Sequence, residues 1–323
     1  MNNLKKIVAL TCAVVMALGL VACKSGGKTG KTYTVGICQL VQHEALDAAT
    51  KGFREALAEK LGDKVVFDEQ NAAGDSATCS TICSTFVSSN VDLIMANATP
   101  ALLAAAAATN SIPILGTSIT HYATALGIED WTGKTGMNIS GVSDLAPLDE
   151  QANMIAALFP EAKTVGILYC SAEPNSKYQA EVVGDALEEK GLTIKNFTFA
   201  DTNDVSSVTQ TACDESDVIF IPTDNTAASC AEAIANISTA AEVPIFAGEE
   251  GLCKGCGVAT LSINYYDIGW AAGLMAYEVL VNEADVSTME IQFADKATKK
   301  FVKDRCEKFA ITIPEDYEEL VIG

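Results

Sequence analysis

The chain contains two histidines. One of them, His43, lies beside a carboxylate in the stretch QLVQHEAL, Gln39 to Leu46. An imidazole next to Glu44 has the makings of an acid/base pair or of a metal-ligand fragment, but either role needs more: a nucleophile to serve, or further ligands. No Gly-x-Ser-x-Gly elbow, phosphate loop or complete dinucleotide fingerprint occurs, and His43 and His121 lie too far apart for a His-Glu-x-x-His motif. Cys253 and Cys256 of GLCKGCG have CxxC spacing, yet no second CxxC or nearby histidine supplies the four ligands of a structural zinc site. A local disulfide or a pair of reduced thiols fits them better. Cys38 and Cys170, in apolar stretches, read as small core hydrophobes. No catalytic residue, metal ligand or cofactor site is expected, and the chemistry left to this chain is recognition.

Recognition must come from side chains placed where a fold converges, and the elements that place them repeat. Short apolar runs alternate with helical stretches from TYTVGICQL through IPILGTS, and after MNISGVSD the alternation restarts with KTVGILYCS and runs to VPIFAGE. Strand, helix, strand is the pattern of a parallel, doubly wound sheet. Thr34-Val-Gly-Ile recurs at Thr164-Val-Gly-Ile, Gly62 at Gly191, Asp92-Leu-Ile at Asp217-Val-Ile, and Pro113 of IPIL at Pro244 of VPIF, all at nearly one offset. The fold class expected is therefore α/β, with two Rossmann-like lobes. YYDIGWAAGLMAYEVLVN is an amphipathic helix added after the second repeat, and MEIQFAD is expected to return to the second lobe. The chain would then cross three times, near Ser143, near Ser262 and after residue 287. The N-terminal lobe spans 32–143 plus 263–287 and the C-terminal lobe 144–262 plus 288–323.

In open parallel sheets, ligands sit beyond the carboxyl ends of the strands. The repeat then sets residues in opposed pairs: His43 against Glu173, Thr99 against Asp224, Ser118 against Glu249. The first lobe offers hydroxyls and helix starts at Thr99, Thr117, Ser118 and Thr120, which suit an anion; the second offers three acids, which suit a cation. A zwitterion spanning the cleft, carboxylate toward the first lobe and ammonium toward the second, satisfies both. The same residue types also serve simply as helix N-caps and turn formers. The only arginines, Arg54 and Arg305, lie away from strand ends, so a ligand carboxylate would rely on backbone N–H groups and hydroxyls. Tyr122, Tyr265 and Tyr266 are candidate ring partners.

The ends and the charge narrow the setting. Lys5 and Lys6 precede an apolar run, Ile7 to Val21, of signal-peptide length. LVAC, Leu20 to Cys23, resembles the bacterial lipobox, in which cleavage after residue 22 exposes a cysteine that is acylated. Residues 24–31, rich in Gly, Ser and Lys, suit a flexible tether. The net charge of −21 becomes more negative once Lys5 and Lys6 leave, which disfavours a nucleic-acid partner. Of eleven cysteines, an odd number remains after Cys12 is removed and Cys23 lipidated, so at least one thiol stays free or pairs externally.

VGICQLVQHEALDAATKGFREAL, NATPALLAAAAATNSIPILGTSIT, NISGVSDLAP, VGILYCSAEPNSKYQAE, IPTDNTAAS and VATLSINYYDIGWAAGLMAYEVL together resemble the lipoprotein substrate-binding proteins of ABC importers of the tryptophan/tyrosine type. The resemblance implies the type I periplasmic-binding-protein fold, a three-strand hinge and no catalysis. It further implies a monomer on the outer face of the cell membrane, with a permease and its ATPase as partners, and an amino acid as ligand, aromatic favoured. Carried over position by position, its cleft loops fall on Gln39, Thr99, Ser118, Ser143, Ser171, Glu173, Asn175, Asp224 and Asn225, with His43 and Glu249 added from the opposed pairs. GEEGLCKGCG departs from the family pattern around Glu249 and Glu250. A ligand-sensing lipoprotein of the same fold and a sugar or nucleoside binder are the alternatives. A sugar-type repressor would carry a basic helix-turn-helix where this chain has an export signal.

Overall fold

A computed structural model describes residues 31–322. The expected signal peptide, the acylated Cys23 and nearly all of the tether lie outside the described residues. The apolar runs become strands of two sheets. The first contains β1 (Tyr33–Gln39), β2 (Val65–Asn71), β3 (Leu93–Asn97), β4 (Ile114–Ile119) and β5 (Ile139–Ser143) in the order β2-β1-β3-β4-β5, all parallel. The second contains β6 (Thr164–Cys170), β7 (Thr193–Phe199), β8 (Val218–Ile221), β9 (Ile245–Ala247) and β10 (Ala259–Ser262) in the order β7-β6-β8-β9-β10, again parallel. One strand order used twice is the repeat made physical. Central strands such as β3 and β8 are buried at every position, as strands covered on both faces must be, whereas edge strands β2 and β7 are half exposed.

Helices cover both faces: α1 (Glu44–Leu61), α2 (Ser76–Ser88), α3 (Thr99–Ala108) and α4 (Tyr122–Leu126) in the first lobe; α5 (Leu148–Leu158), α6 (Pro174–Glu188), α7 (Val205–Glu215), α8 (Asn225–Ser229), α9 (Ala231–Ala240) and α10 (Glu250–Gly255) in the second. The long stretch from Asn225 breaks at Cys230 into two helices. Each sheet carries an apolar core on either face. Phe86, Ile94 and Leu102 lie in one core of the first lobe, and Ile37, Phe53 and Met275 in the other.

After β10 the chain returns to the first lobe as α11 (Tyr265–Val281), which packs along α1. Three glycines set this contact. A Cβ on Gly52 would stand 2.1 Å from the Tyr266 carbonyl oxygen, one on Gly269 2.0 Å from that of Ala49, and one on Gly273 2.6 Å from that of Phe53. Only hydrogen fits between these backbones.

The third crossing lies later than the sequence suggests. MEIQFAD does not enter the second lobe: β11 (Gln292–Phe293) pairs with β5, as Gln292 to Val142 and Phe293 to Ser143. Ile291 is buried in a first-lobe core and its N–H donates to the Gly133 carbonyl at 2.8 Å. These anchors hold residues 288–293 on the first sheet. The chain then joins the second sheet as β12 (Thr298–Phe301), antiparallel to β10. After α12 (Lys303–Lys308) it ends with β13 (Glu318–Glu319) beside β12.

Candidate functional site

The carboxyl ends of the two sheets face each other, and each βα turn there ends in a helix N-terminus whose first N–H groups have no partner within the helix. What caps them differs between the lobes. Equivalent N-cap positions are His43 and Glu173, Ala98 and Asp224, and His121 and Glu249. The opposition of His43 to Glu173 thus appears in the fold, whereas Asp224 stands opposite Ala98, one residue before Thr99, and Glu249 opposite His121 rather than Ser118.

The acids of the second lobe are occupied by their own backbone. Asp224 accepts from the N–H groups of Ala227 and Cys170, each at 2.7 Å. Glu249 accepts from Gly251 and Leu252 at the start of α10. Glu173 begins α6 but spends its carboxylate on α8, accepting from the N–H groups of Asn225 (3.1 Å) and Thr226 (2.8 Å), from the Thr226 hydroxyl and from both Asn175 and Asn225 side-chain amides. Burial raises the carboxyl pKa of Glu249 to about 7, and burial followed by the charge of Glu173 raises that of Asp224 to about 8.

The first lobe is left open. His43 and Ala98 make no side-chain cap to α1 or α3. The hydroxyls of Thr99, Thr117 and Ser118 are buried and have no hydrogen-bond partner. The backbone around them is strained, with φ of 89° at Ala98 and 57° at Ser118, conformations that non-glycine residues adopt at a cost of about 1–3 kcal/mol and that cluster at binding sites. These two turns are adjacent, since the Ala98 N–H donates to the Thr117 carbonyl at 3.1 Å. From the second lobe, Asn175, whose Oδ1 is buried and unpartnered, lines a narrow void together with Thr99, His121 and Tyr178.

The lobes touch around this void. The His43 Nε2 lies 3.1 Å from the Asn225 Oδ1; because the Asn225 amide nitrogen donates to Glu173, the imidazole donates here and its Nδ1 is left as an acceptor without a partner. Burial pushes the His43 pKa down, keeping the ring neutral. His121 stacks on Tyr178 with ring centroids 4.6 Å apart and planes within 5°. Lys254 bridges Glu44 of the first lobe and Glu250 of the second. Beside these contacts a cavity of about 460 Å³ remains between the lobes, bordered by Val41, Pro100, Cys170, Glu173 and Thr226, a volume in the usual range for a small-molecule site. The arrangement is that of a closed cleft.

The structure thus brings His43, Thr99, Ser118, Glu173, Asn175 and Asn225 together and sets others apart. Gln39 is consumed in the first lobe, donating to the Val41 carbonyl and Asp47 and accepting from Thr50 at 2.6 Å. The Ser143 hydroxyl donates to the Thr120 carbonyl, fixing the first crossing. Ser171 is exposed and its hydroxyl turns to the Phe199 carbonyl on β7, away from the void. Tyr122 is buried in the first-lobe core and Tyr266 lies on the outer surface against Glu55. His121, Tyr178, Asp144 and Lys254 were not identified by the sequence reading; aligning N-caps rather than strand residues would have found His121. All nine described cysteines, Cys253 and Cys256 included, are free thiols, and among the described residues no group of His, Cys, Asp and Glu is placed to hold a metal ion.

The sequence from residue 34 to 320 matches the family of ABC transporter substrate-binding proteins. A tyrosine-binding protein of Clostridioides difficile is 33% identical over 305 residues, 88% of each chain. A domain from Streptococcus pneumonia solved in complex with L-Trp is 31% identical, covers 90% of this chain and 100% of its own, and superposes with a TM-score of 0.86. A ligand-free, open substrate-binding protein from Clostridium difficile, 32% identical over 90% of this chain and 99% of its own, superposes at 0.67. At nearly equal identity the ligand-bound structure is the better match, in keeping with the closed cleft. The chain belongs to the ABC transporter substrate-binding protein family and has the type I periplasmic-binding-protein fold.

Proposed function

We propose that this family member captures an amino acid, aromatic side chains favoured, in the cleft between its lobes and delivers it to the permease and ATPase of an importer. The observation that carries the reading is the open helix start at α3, where the buried hydroxyls of Thr99 and Ser118 lack partners opposite the free Asn175 Oδ1. Buried polar groups in native proteins are satisfied, so these mark where a ligand's polar groups belong. Helix N–H groups and hydroxyls hold a carboxylate without arginine, and His121 and Tyr178 stand beside them as aromatic neighbours. The relatives that bind tyrosine and tryptophan support the same class. Closure follows as a population shift driven by contacts that only the closed form makes.

The protein works outside the cell membrane as a monomer, exported by residues 1–22 and anchored through an acylated Cys23. That setting is supported by the lipobox-like LVAC sequence. Among the described residues no helix is long and apolar enough to cross a membrane. It performs no chemical step on its ligand.

The test is native mass spectrometry of protein lacking residues 1–23, followed by calorimetry against the twenty amino acids. Tight binding of L-tyrosine or L-tryptophan is the expected result. Binding of a sugar or nucleoside and of no amino acid would overturn the ligand class while leaving the family intact.

A further inference from the structure

If the cleft takes an amino acid, its ammonium needs a carboxylate, and the three acids opposite the first lobe are already spent on backbone donors. Four acidic side chains are buried among the described residues: Asp144, Glu173, Asp224 and Glu249. Only Asp144 has a carboxylate oxygen without a partner. Its Oδ2 accepts from the Tyr265 hydroxyl at 2.9 Å, while its Oδ1 is buried and accepts nothing. The residue is 3% exposed. A buried carboxylate oxygen with no donor is costly, and among the described residues no lysine or arginine forms an ion pair with Asp144.

The position suits a ligand contact. Asp144 follows β5 directly, and its N–H donates to the Ile119 carbonyl at the end of β4, one residue beyond Ser118. The Thr120 hydroxyl lies near this carboxylate and works against the rise that burial causes in its pKa. Asp144 and Tyr265 lie on two different chain crossings, and the Tyr265 hydroxyl is also within reach of Thr223 at the end of β8.

We infer that the unpartnered Oδ1 of Asp144 receives the primary ammonium of the bound amino acid, so that the cation is held at the hinge rather than by the acids of the second lobe. This rests on the amino-acid reading above. An ammonium there satisfies the orphan oxygen and ties the ligand to both crossings at once. The α-carboxylate then points to the neighbouring turns at Thr99 and Ser118, which leaves the side chain to set preference.

The experiment compares L-tyrosine with 3-(4-hydroxyphenyl)propanoate, the same molecule without its amino group, on the wild type and on Asp144→Asn, by calorimetry and competition. The wild type is expected to prefer L-tyrosine, and Asp144→Asn to bind it roughly a hundredfold more weakly while holding the propanoate no worse than the wild type does; losing one partner of a buried charge pair has effects of this order. Wild-type affinity for L-tyrosine in Asp144→Asn, or an equal loss for both ligands, overturns the inference. If the wild type binds no amino acid, the functional reading fails before the variant is consulted. A structure of the wild type with L-tyrosine decides the matter should the variant not fold: the ammonium lies within hydrogen-bond distance of the Asp144 Oδ1, or the inference is wrong.

Discussion

The two lobes repeat one strand order, yet at three pairs of equivalent helix starts they differ. In the second lobe Glu173, Asp224 and Glu249 turn back on backbone N–H groups, so the acids stabilise the lobe that bears them. In the first lobe the equivalent positions are His43, Ala98 and His121. Of these only His121 caps its helix, through a ring nitrogen that accepts from the Thr124 N–H. Charge at a strand end is therefore a poor guide to which side grips a ligand. The buried hydroxyls of Thr99, Thr117 and Ser118 in the first lobe lack partners, while the acids of the second are held by its own backbone.

This contrast breaks first at Glu173. Replacing it by alanine strips five donors of their acceptor at once, and a loss of roughly 3 kcal/mol or more is expected, since buried groups bereft of a charged partner cost that much. Denaturant unfolding of Glu173→Ala measures it; a change under 1 kcal/mol would show the carboxylate to be idle. The pH dependence of the ligand-free protein tests the same acids without mutation. Burial raises Asp144 to about 6, Glu249 to about 7 and Asp224, repelled also by Glu173, to about 8. Each binds its proton more tightly folded than unfolded, so the stability it contributes is full below about pH 4 and is lost as pH rises through the raised value. His43, pushed down, acts in the opposite sense, losing its contribution as pH falls below about 6.5. With three groups against one, the melting temperature should fall between pH 5 and pH 8. A melting temperature that rises across this interval contradicts the assignment.

Asp224→Ala sharpens the comparison further. As the loss of a helix cap it should cost about 1–2 kcal/mol of stability, with affinity reduced only as far as closure suffers. The mirror experiment in the first lobe is Thr99→Val with Ser118→Ala. Removing unpartnered hydroxyls should leave the melting temperature unchanged or slightly higher, while each weakens amino-acid binding roughly tenfold, the worth of about one hydrogen bond to a charged group. If Thr99→Val loses stability and keeps affinity, the roles of the lobes are reversed. The smallest effect belongs to Lys254→Met, which breaks the bridge to Glu44. The pair is partly exposed, so less than about 1 kcal/mol is at stake, and the difference from wild type in ligand affinity should vanish in high salt.

The repeat was readable because each lobe needs the same alternation of buried strands and covering helices, and Thr34-Val-Gly-Ile and Thr164-Val-Gly-Ile begin its two copies. His43 and Glu173 were correctly opposed because both immediately precede the first helix of their lobe. Asp224 and Glu249, expected to face a ligand, accept from N–H groups of their own helices. A carboxylate at a strand end can face a ligand or its own helix, and residue type does not say which. Asp144 lies in the quoted stretch NISGVSDLAP, but only the three-dimensional tally of donors shows its unpartnered oxygen. The stack of His121 on Tyr178 joins elements that are distant in sequence, so no local pattern announces it. A two-residue strand such as β11 has no alternation to read, so its attachment to β5 was invisible beforehand.

The glycine seam between α1 and α11 has a mechanical consequence. With carbonyl groups where side chains would otherwise cushion the contact, the two helices have no slack and act as one solid lever. Both helices start on the cleft side, α1 with His43 and Glu44 at the lip and α11 with Tyr265 beside the pivot. A small turn at the crossing is delivered to the rim undamped, so the mouth swings as a rigid door rather than yielding like a flap. Widening the seam by a single methyl, as in Gly269→Ala, would put play into the lever and blunt the mouth's response to movement at its root.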